Sequence, residues 1–180
     1  MTNSDSAREK IAFLRGLRAI RQFRPDPIAQ DVLDDVLEVA RWSGSASNQQ
    51  PWEIVLVRKR ETLRALAGVG GYARHLSGAA AAIILVMAGT PDRLDQETYD
   101  EGRLSERIML AASAHGVGSS IGWFVGDGVA AAKQILGIPE DRLVRTALSL
   151  GYPTEEALKP RTQPGQARKP LAAIVHEEHY

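Results

Sequence analysis

The sequence predicts one domain that mixes helices with a small sheet, and three observations carry that expectation. The chain has 180 residues, enough for a single unit with a real core and too few for two comfortable ones. Four short apolar runs, at Ile54–Val57, Ala80–Met87, Ser119–Val125 and Leu143–Leu150, read as buried strands. Longer stretches with helical periodicity separate them.

Taken in order, Ser6-Ala7-Arg8-Glu9 fits a capping box and starts a helix to about Leu17. Pro25 and Pro27 then force an extended stretch. Ile28 to Trp42 places Val32, Leu33, Val36, Leu37, Val39 and Ala40 on one helical side, with Gly44 as the expected C-terminal cap. After the first strand, Glu61–Ala67 and Tyr72–Leu76 read as short helices, and Glu97–His115 as the long central one. Gly128–Leu136 reads as a helix closed by Gly137 and Pro139. From Pro153 to Tyr180 the chain changes character: Pro160, Pro164, Gly165 and Pro170 make a C-terminal arm, of the kind that reaches toward a partner subunit.

Composition narrows the chemistry. Lysine plus arginine equal aspartate plus glutamate at 22 each, so no overall field favours nucleic acid or an anionic membrane. The absence of cysteine excludes disulfides, thiolate metal sites and a thiol redox centre. Redox chemistry would need a cofactor. The longest apolar run, Ala79–Ala88, is about half of the roughly 20 residues needed to span a bilayer, and the charged N-terminus lacks a signal-peptide core. A cytoplasmic protein with a small-molecule ligand is expected.

The candidate ligand loop is Ser43 to Trp52, SGSASNQQPW. Ser45, Ser47, Asn48, Gln49 and Gln50 supply groups that both donate and accept hydrogen bonds, which suits a heteroaromatic ring. The plain alternative is a surface loop after a helix stop. Arg18 and Arg21, three apart, share a face if the first helix continues, ready for a phosphate or an anionic ring.

Three other motifs point to other chemistry. Gly118-Ser119-Ser120-Ile121-Gly122 matches the nucleophile pattern of serine hydrolases, with Ser120 as nucleophile and Asp127, Asp141 and His176 following in a permissible order. A helix precedes this motif and a strand follows, the reverse of the required strand, turn and helix. Gly68-Val69-Gly70-Gly71-Tyr72-Ala73 fits a dinucleotide-binding pattern but follows a helix. His176-Glu177-Glu178-His179 lies at the end of the chain without further ligands nearby in sequence and reads as a solvated tail.

Five segments in order resemble the FMN-dependent nitroreductase family. Arg18-Ala19-Ile20-Arg21-Gln22-Phe23 is similar to its first cofactor-binding element, with Leu17 where an arginine is usual and Ala19 where a serine is usual. Asn48 and Gln50-Pro51-Trp52 match its polar loop, although Gly44 replaces a proline. Asp100-Glu101-Gly102 through Gly116-Val117-Gly118-Ser119-Ser120 resembles its central helix and glycine turn. Leu148 to Pro153 resembles its Gly-Tyr-Pro strand end, and Arg168-Lys169-Pro170-Leu171 its basic tail.

The resemblance implies the α+β class: a mixed, mostly antiparallel sheet wrapped by helices, assembled as an intertwined homodimer with FMN in each interface crevice. It implies that Arg18, Ala19 and Arg21 meet phosphate and flavin from one chain, and that Arg168 and Lys169 meet the phosphate. Ile121, Gly122 and Trp123 would line the ring, while Ser45, Ser47, Asn48 and Gln50 would approach from the other subunit. A positive side chain near flavin N1 and O2 stabilises the reduced ring; Arg21 is the first candidate for it and Arg74 the second. The implied reaction has two steps: NADH or NADPH gives hydride to the flavin, and an electrophilic acceptor such as a nitroaromatic, quinone or enone then takes it. No side chain need act as acid or nucleophile, and the short polar connection from Gly89 to Asp100 implies an open pocket. A flavin-binding protein of the same fold without turnover is the alternative, because Leu17 and Ala19 weaken the phosphate element.

Overall fold

The computed structural model describes residues 3–159 and 168–180. Its first helix, α1, runs Asn3–Gly16, so Ser6 lies inside the helix and does not cap it. The helix stops at Gly16, a poor helix residue, and the chain then extends. Ile20 N–H donates to the Ser119 carbonyl at 2.8 Å and Arg24 N–H to the Tyr152 carbonyl at 2.8 Å. Arg18 and Arg21 therefore do not share a helix face. An odd separation in extended chain turns side chains to opposite sides.

Helix α2, Gln30–Arg41, buries Leu33, Val36 and Ala40. It closes at Trp42, whose N–H donates to the Glu38 carbonyl while Ser43 N–H donates to the Ala40 carbonyl, so Gly44 is not its cap. Gly44 instead lies against Arg103, where a Cβ would overlap the guanidinium.

Strands β1 (Trp52–Val57), β2 (Ala81–Met87), β3 (Gly118–Trp123) and β4 (Leu143–Gly151) form a sheet in the order β1-β2-β4-β3. All three strand pairings are antiparallel. The four-stranded sheet is thus antiparallel throughout, and a parallel contact is found at the isolated bridge from Ala19, outside the strands, to Ser119. Central β2 is buried along its whole length, which explains its unbroken apolar sequence.

One face carries α2 and α4 (Leu94–Ala114), packed through Leu104, Ile108 and Met109 onto Ile83, Leu85, Leu148 and Leu150. The other carries α3 (Arg60–Gly68), the turn Arg74–Gly78 and α5 (Asp127–Leu136), packed through Leu63, Leu66, Leu76 and Ala132 onto Ala82, Ile84 and Ala147. Each fully buried Leu or Ile contributes about 1.5–3 kcal/mol. Gly137 closes α5 in the left-handed conformation, φ 66°, as expected.

Helix α4 begins three residues before the expected Glu97, after a turn at Pro91–Arg93, so the connection from Gly89 to Asp100 is largely helical. A short helix α6, Glu155–Leu158, follows β4, capped by Thr154 Oγ1, which accepts from Ala157 N–H at 3.2 Å. Pro160, Pro164 and Gly165 of the expected arm lie outside the described residues; the turn Leu171–Ala173 follows them. Among the described residues no helix is long and apolar enough to cross a membrane.

Candidate functional site

The polar loop is a strained turn. Ser47, Asn48 and Gln50 have φ of 50°, 55° and 51°, a conformation that costs non-glycine residues of order 1–3 kcal/mol each and persists only where surroundings hold it. Ser45 Oγ accepts from Gln50 N–H at 2.8 Å, and Gln50 Nε2 donates to the Asn48 carbonyl at 3.1 Å. Ser45 therefore builds the loop, while Ser47, Asn48 and Gln50 are exposed on it.

Helix α4 grips this loop. Buried Asp100 accepts from Ala46 N–H at 3.0 Å and lies 3.6 Å from Arg103. One turn earlier, buried Glu97 accepts from Gly89 N–H at 2.7 Å and Thr90 N–H at 3.0 Å. Glu101, also buried, pairs with Arg145. Spacings of three and four put all three carboxyl groups on one side of the helix.

Arg145 reaches α4 because of a bulge. Ile84 pairs with Ala147 and Val86 with Val144, so Arg145 and Thr146 together oppose Leu85. Such an extra residue re-aims its side chain.

A second polar cluster lies at the opposite sheet edge, on β3. Gly122 is buried against the preceding turn: a Cβ there would sit 2.9 Å from His75 Nε2 and 3.0 Å from the Tyr72 carbonyl. Tyr72 N–H donates to the Trp123 carbonyl at 2.9 Å. His75 Nδ1 is 2.7 Å from Ser149 Oγ, and its Nε2 is buried without a hydrogen bond. Desolvation first, and then the positive charge of Arg21, hold the His75 pKa below its ordinary value, against the pull of the Ile121 and Tyr72 carbonyls. Arg21 is exposed beside this neutral imidazole. Ile121 and Trp123, alternating with Gly122, are partly exposed on the α4 side.

The remaining candidates separate from these clusters. Arg18 donates to the carbonyls of Ala157 at 2.7 Å and Lys159 at 3.2 Å, capping the end of α6. Ala19 forms the bridge to Ser119. Arg74 is exposed, and its neighbour His75 faces the strand. Arg168 and Lys169 are exposed, and no hydrogen bond or ion pair among the described residues joins them to the other candidates.

The rival motifs fare differently. Ser120 is fully buried in mid-strand, with its hydroxyl 3.4 Å from the Ile121 carbonyl; it has neither the elbow geometry nor a bonded histidine that a nucleophile requires. Gly70 and Gly71 form a turn after α3, both with positive φ, with no preceding strand to present phosphate. Among the described residues no group of three or more His, Asp or Glu side chains could hold a metal ion.

Sequence reasoning missed His75, Glu97 and Arg145. The helical stripe of 97, 100 and 101 was a signal for the carboxyl groups; a bulge and a tight turn hid the other two.

Against known proteins, residues 14–152 match the model of the nitroreductase family. The chain is 32% identical to a protein of Archaeoglobus fulgidus named for NADH dehydrogenase/NAD(P)H nitroreductase activity, over 77% of this chain and 82% of that one. It is 24% identical to the oxygen-insensitive NADPH nitroreductase of Salmonella typhimurium, over 94% and 74%. Its fold matches the FMN-dependent nitroreductase of Clostridium difficile R20291 with a TM-score of 0.81, at 23% identity over 94% and 99% of the two chains. Sequence and overall fold thus agree, and the chain belongs to the nitroreductase family.

Proposed function

We propose that this chain is an FMN-dependent oxidoreductase that carries reducing equivalents from NADH or NADPH to an electrophilic small molecule, working as a homodimer with itself. The observation that carries this reading is the placement of two incomplete polar half-sites at opposite edges of one sheet. The strained 45–50 loop leads into β1 at one edge, and Arg21, His75 and Gly122 gather at β3, the other. Strands about 4.8 Å apart separate those edges by roughly 14 Å. Two copies that exchange these halves would close both sites.

The residues present fit a flavin. At Gly122 the space a side chain would fill is taken by His75 and Tyr72, so a planar ring would meet this strand from its other side, beside the exposed Ile121 and Trp123. Loop donors and acceptors at Ser47, Asn48 and Gln50 suit a ring edge. Leu17 and Ala19 supply no phosphate ligand and Arg18 is tied to α6, so Arg168 and Lys169 are proposed to hold the phosphate.

When bound, FMN supplies the hydride chemistry. Arg21 puts a positive charge beside the ring, which favours the reduced state. The neutral His75 leaves that charge single. Ile121 and Trp123 exclude water from one side of the crevice, and the 45–50 loop of the partner copy would exclude it from the other.

An absorbance spectrum of purified protein, taken after FMN addition and desalting and again after anaerobic NADH or NADPH, tests the reading. Retained flavin that bleaches is expected. Arg21→Ala should raise the FMN Kd about tenfold or slow bleaching to a similar extent; unchanged values reject its role. Retained flavin that stays oxidised with both reductants would favour a binding protein without turnover.

A further inference from the structure

The extended strap from Arg18 to Arg24 carries Arg21, and its two ends are held in different ways. At the far end Arg24 N–H donates to the Tyr152 carbonyl at 2.8 Å, and the Gln22 carbonyl accepts from Thr154 N–H at 3.2 Å. Phe23 packs so closely on Gly151 that a Cβ there would lie 2.8 Å from its ring. The near end instead borders a cavity of about 160 Å³, whose lining includes Gly16, Leu17, Ile20, Ser119 and Leu158. The Ser119 hydroxyl is buried there without a hydrogen bond. Side-chain packing leaves this end under-filled.

Arg18 bridges that end. Its two terminal nitrogens donate to the carbonyls of Ala157 and Lys159, at 2.7 Å and 3.2 Å, where α6 stops. Two main-chain acceptors side by side suit the fork of a guanidinium, which a lysine does not offer. Since Thr154, just before α6, meets the Gln22 carbonyl, the strap is tied to both ends of this short helix. Arg18 and Arg21 turn to opposite sides of extended chain. One therefore grips α6 while the other stays exposed near His75. A phosphate at Arg18 would have to displace charge-assisted bonds already made.

We propose that Arg18 is a positioning residue: it latches the near end of the strap to α6 and so fixes where Arg21 stands, without touching the cofactor. The consequence for flavin recognition rests on the oxidoreductase reading above; the latch rests on the geometry alone. The two roles open to Arg18 differ in what they distinguish. A phosphate ligand separates FMN from riboflavin, which has the same ring and no phosphate. A latch that acts through Arg21 affects the two flavins alike.

The full chain, freed of flavin, is titrated with FMN and with riboflavin, following flavin fluorescence. Arg18→Met is expected to weaken both by the same factor, up to about tenfold, the ceiling set by loss of Arg21 itself. In an Arg21→Ala background the same substitution should add less than about twofold, because the group it positions is gone. Weakening of FMN alone overturns the proposal and makes Arg18 a phosphate ligand. No weakening of either flavin, or full additivity with Arg21→Ala, overturns it and leaves a cap for α6. Hydrogen exchange on the flavin-free chain decides the latch without any ligand. In Arg18→Met the Ile20 amide, bonded to the Ser119 carbonyl, should exchange at least about tenfold faster, while the Arg24 amide and those of β2 change by less than about twofold. Equal acceleration at Ile20 and Arg24, or none at either, overturns the latch. Where Arg18→Met does not fold, Arg18→Lys, with one point of attachment, carries the same comparisons at smaller amplitude. A wild type that binds neither flavin rejects the oxidoreductase reading, and the exchange result then judges the latch by itself.

Discussion

The two faces of the sheet bury their polar groups in different ways. Under α4, Glu97, Asp100 and Glu101 are carboxyl groups, each engaged with backbone N–H groups or an arginine from another element. On the opposite face, His75, Ser120 and Ser149 beneath β3 and β4 are uncharged groups, and the buried charge of Lys133 on α5 is satisfied away from the strands, by the Glu140 carbonyl at 2.7 Å. A carboxylate accepts several donors at once and forms the stronger bonds, so it suits helix positions that must grip loops. A neutral histidine and a hydroxyl need less solvation, so they suit a place where a strand must lie flat. Burial of polar groups here follows the task of the segment they hold.

The largest expected effect is on the charged face. Glu97→Ala removes both acceptors of Gly89 and Thr90 N–H and should cost about 3 kcal/mol or more in urea unfolding, since each bond to a charged group is worth about 1.5–3 kcal/mol. A cost no larger than that of an ordinary surface substitution, about 0.5 kcal/mol, would break the comparison. Next, Gly122→Ala on the neutral face drives a methyl into His75 and Tyr72 and should cost about 1–3 kcal/mol. Pairing it with His75→Ser in a double-mutant cycle should recover at least about 0.5 kcal/mol; strict additivity would show that the imidazole is not the obstacle.

The smallest effect sharpens the neutral side of the comparison. The folded pKa of His75 lies below its ordinary 6.5, so below about pH 6.5 the unfolded chain binds a proton that the folded one resists. Stability should be insensitive to His75 above that value and fall as pH drops from 6.5 toward the folded pKa. The partly solvated ring makes the slope shallow. Unfolding curves of wild type and His75→Gln should therefore converge in shape at neutral pH and diverge on acidification, the variant lacking this component. Parallel curves throughout would mean that His75 is not held neutral.

Much of the fold was legible because its signals are local. The apolar run Ala80–Met87 reads as a strand from its length and β-branched content, and Gly137 marks the end of α5. The polar loop was legible too, since Ser45, Asn48 and Gln50 lie within one six-residue stretch. The position of Arg18 was not. Whether the chain stays helical after Gly16 is decided by pairing with Ser119 and Tyr152, and no local pattern records that competition. His75 escaped because a tight turn, with no simple periodicity, sets which of residues 74 and 75 faces inward. Arg145 escaped for a related reason: in a regular strand its parity points away from α4, and only the bulge reverses it.

The extended strap from Arg18 to Arg24 has a consequence for synthesis. It leaves the ribosome early, yet its partners come much later; Arg18 and the Lys159 carbonyl are 141 residues apart. At roughly 5–20 residues per second, the strap waits on the order of ten seconds before it can be seated. Arg21 therefore has no fixed position on the nascent chain, and half of the proposed cofactor site comes into being only after β4 has been made.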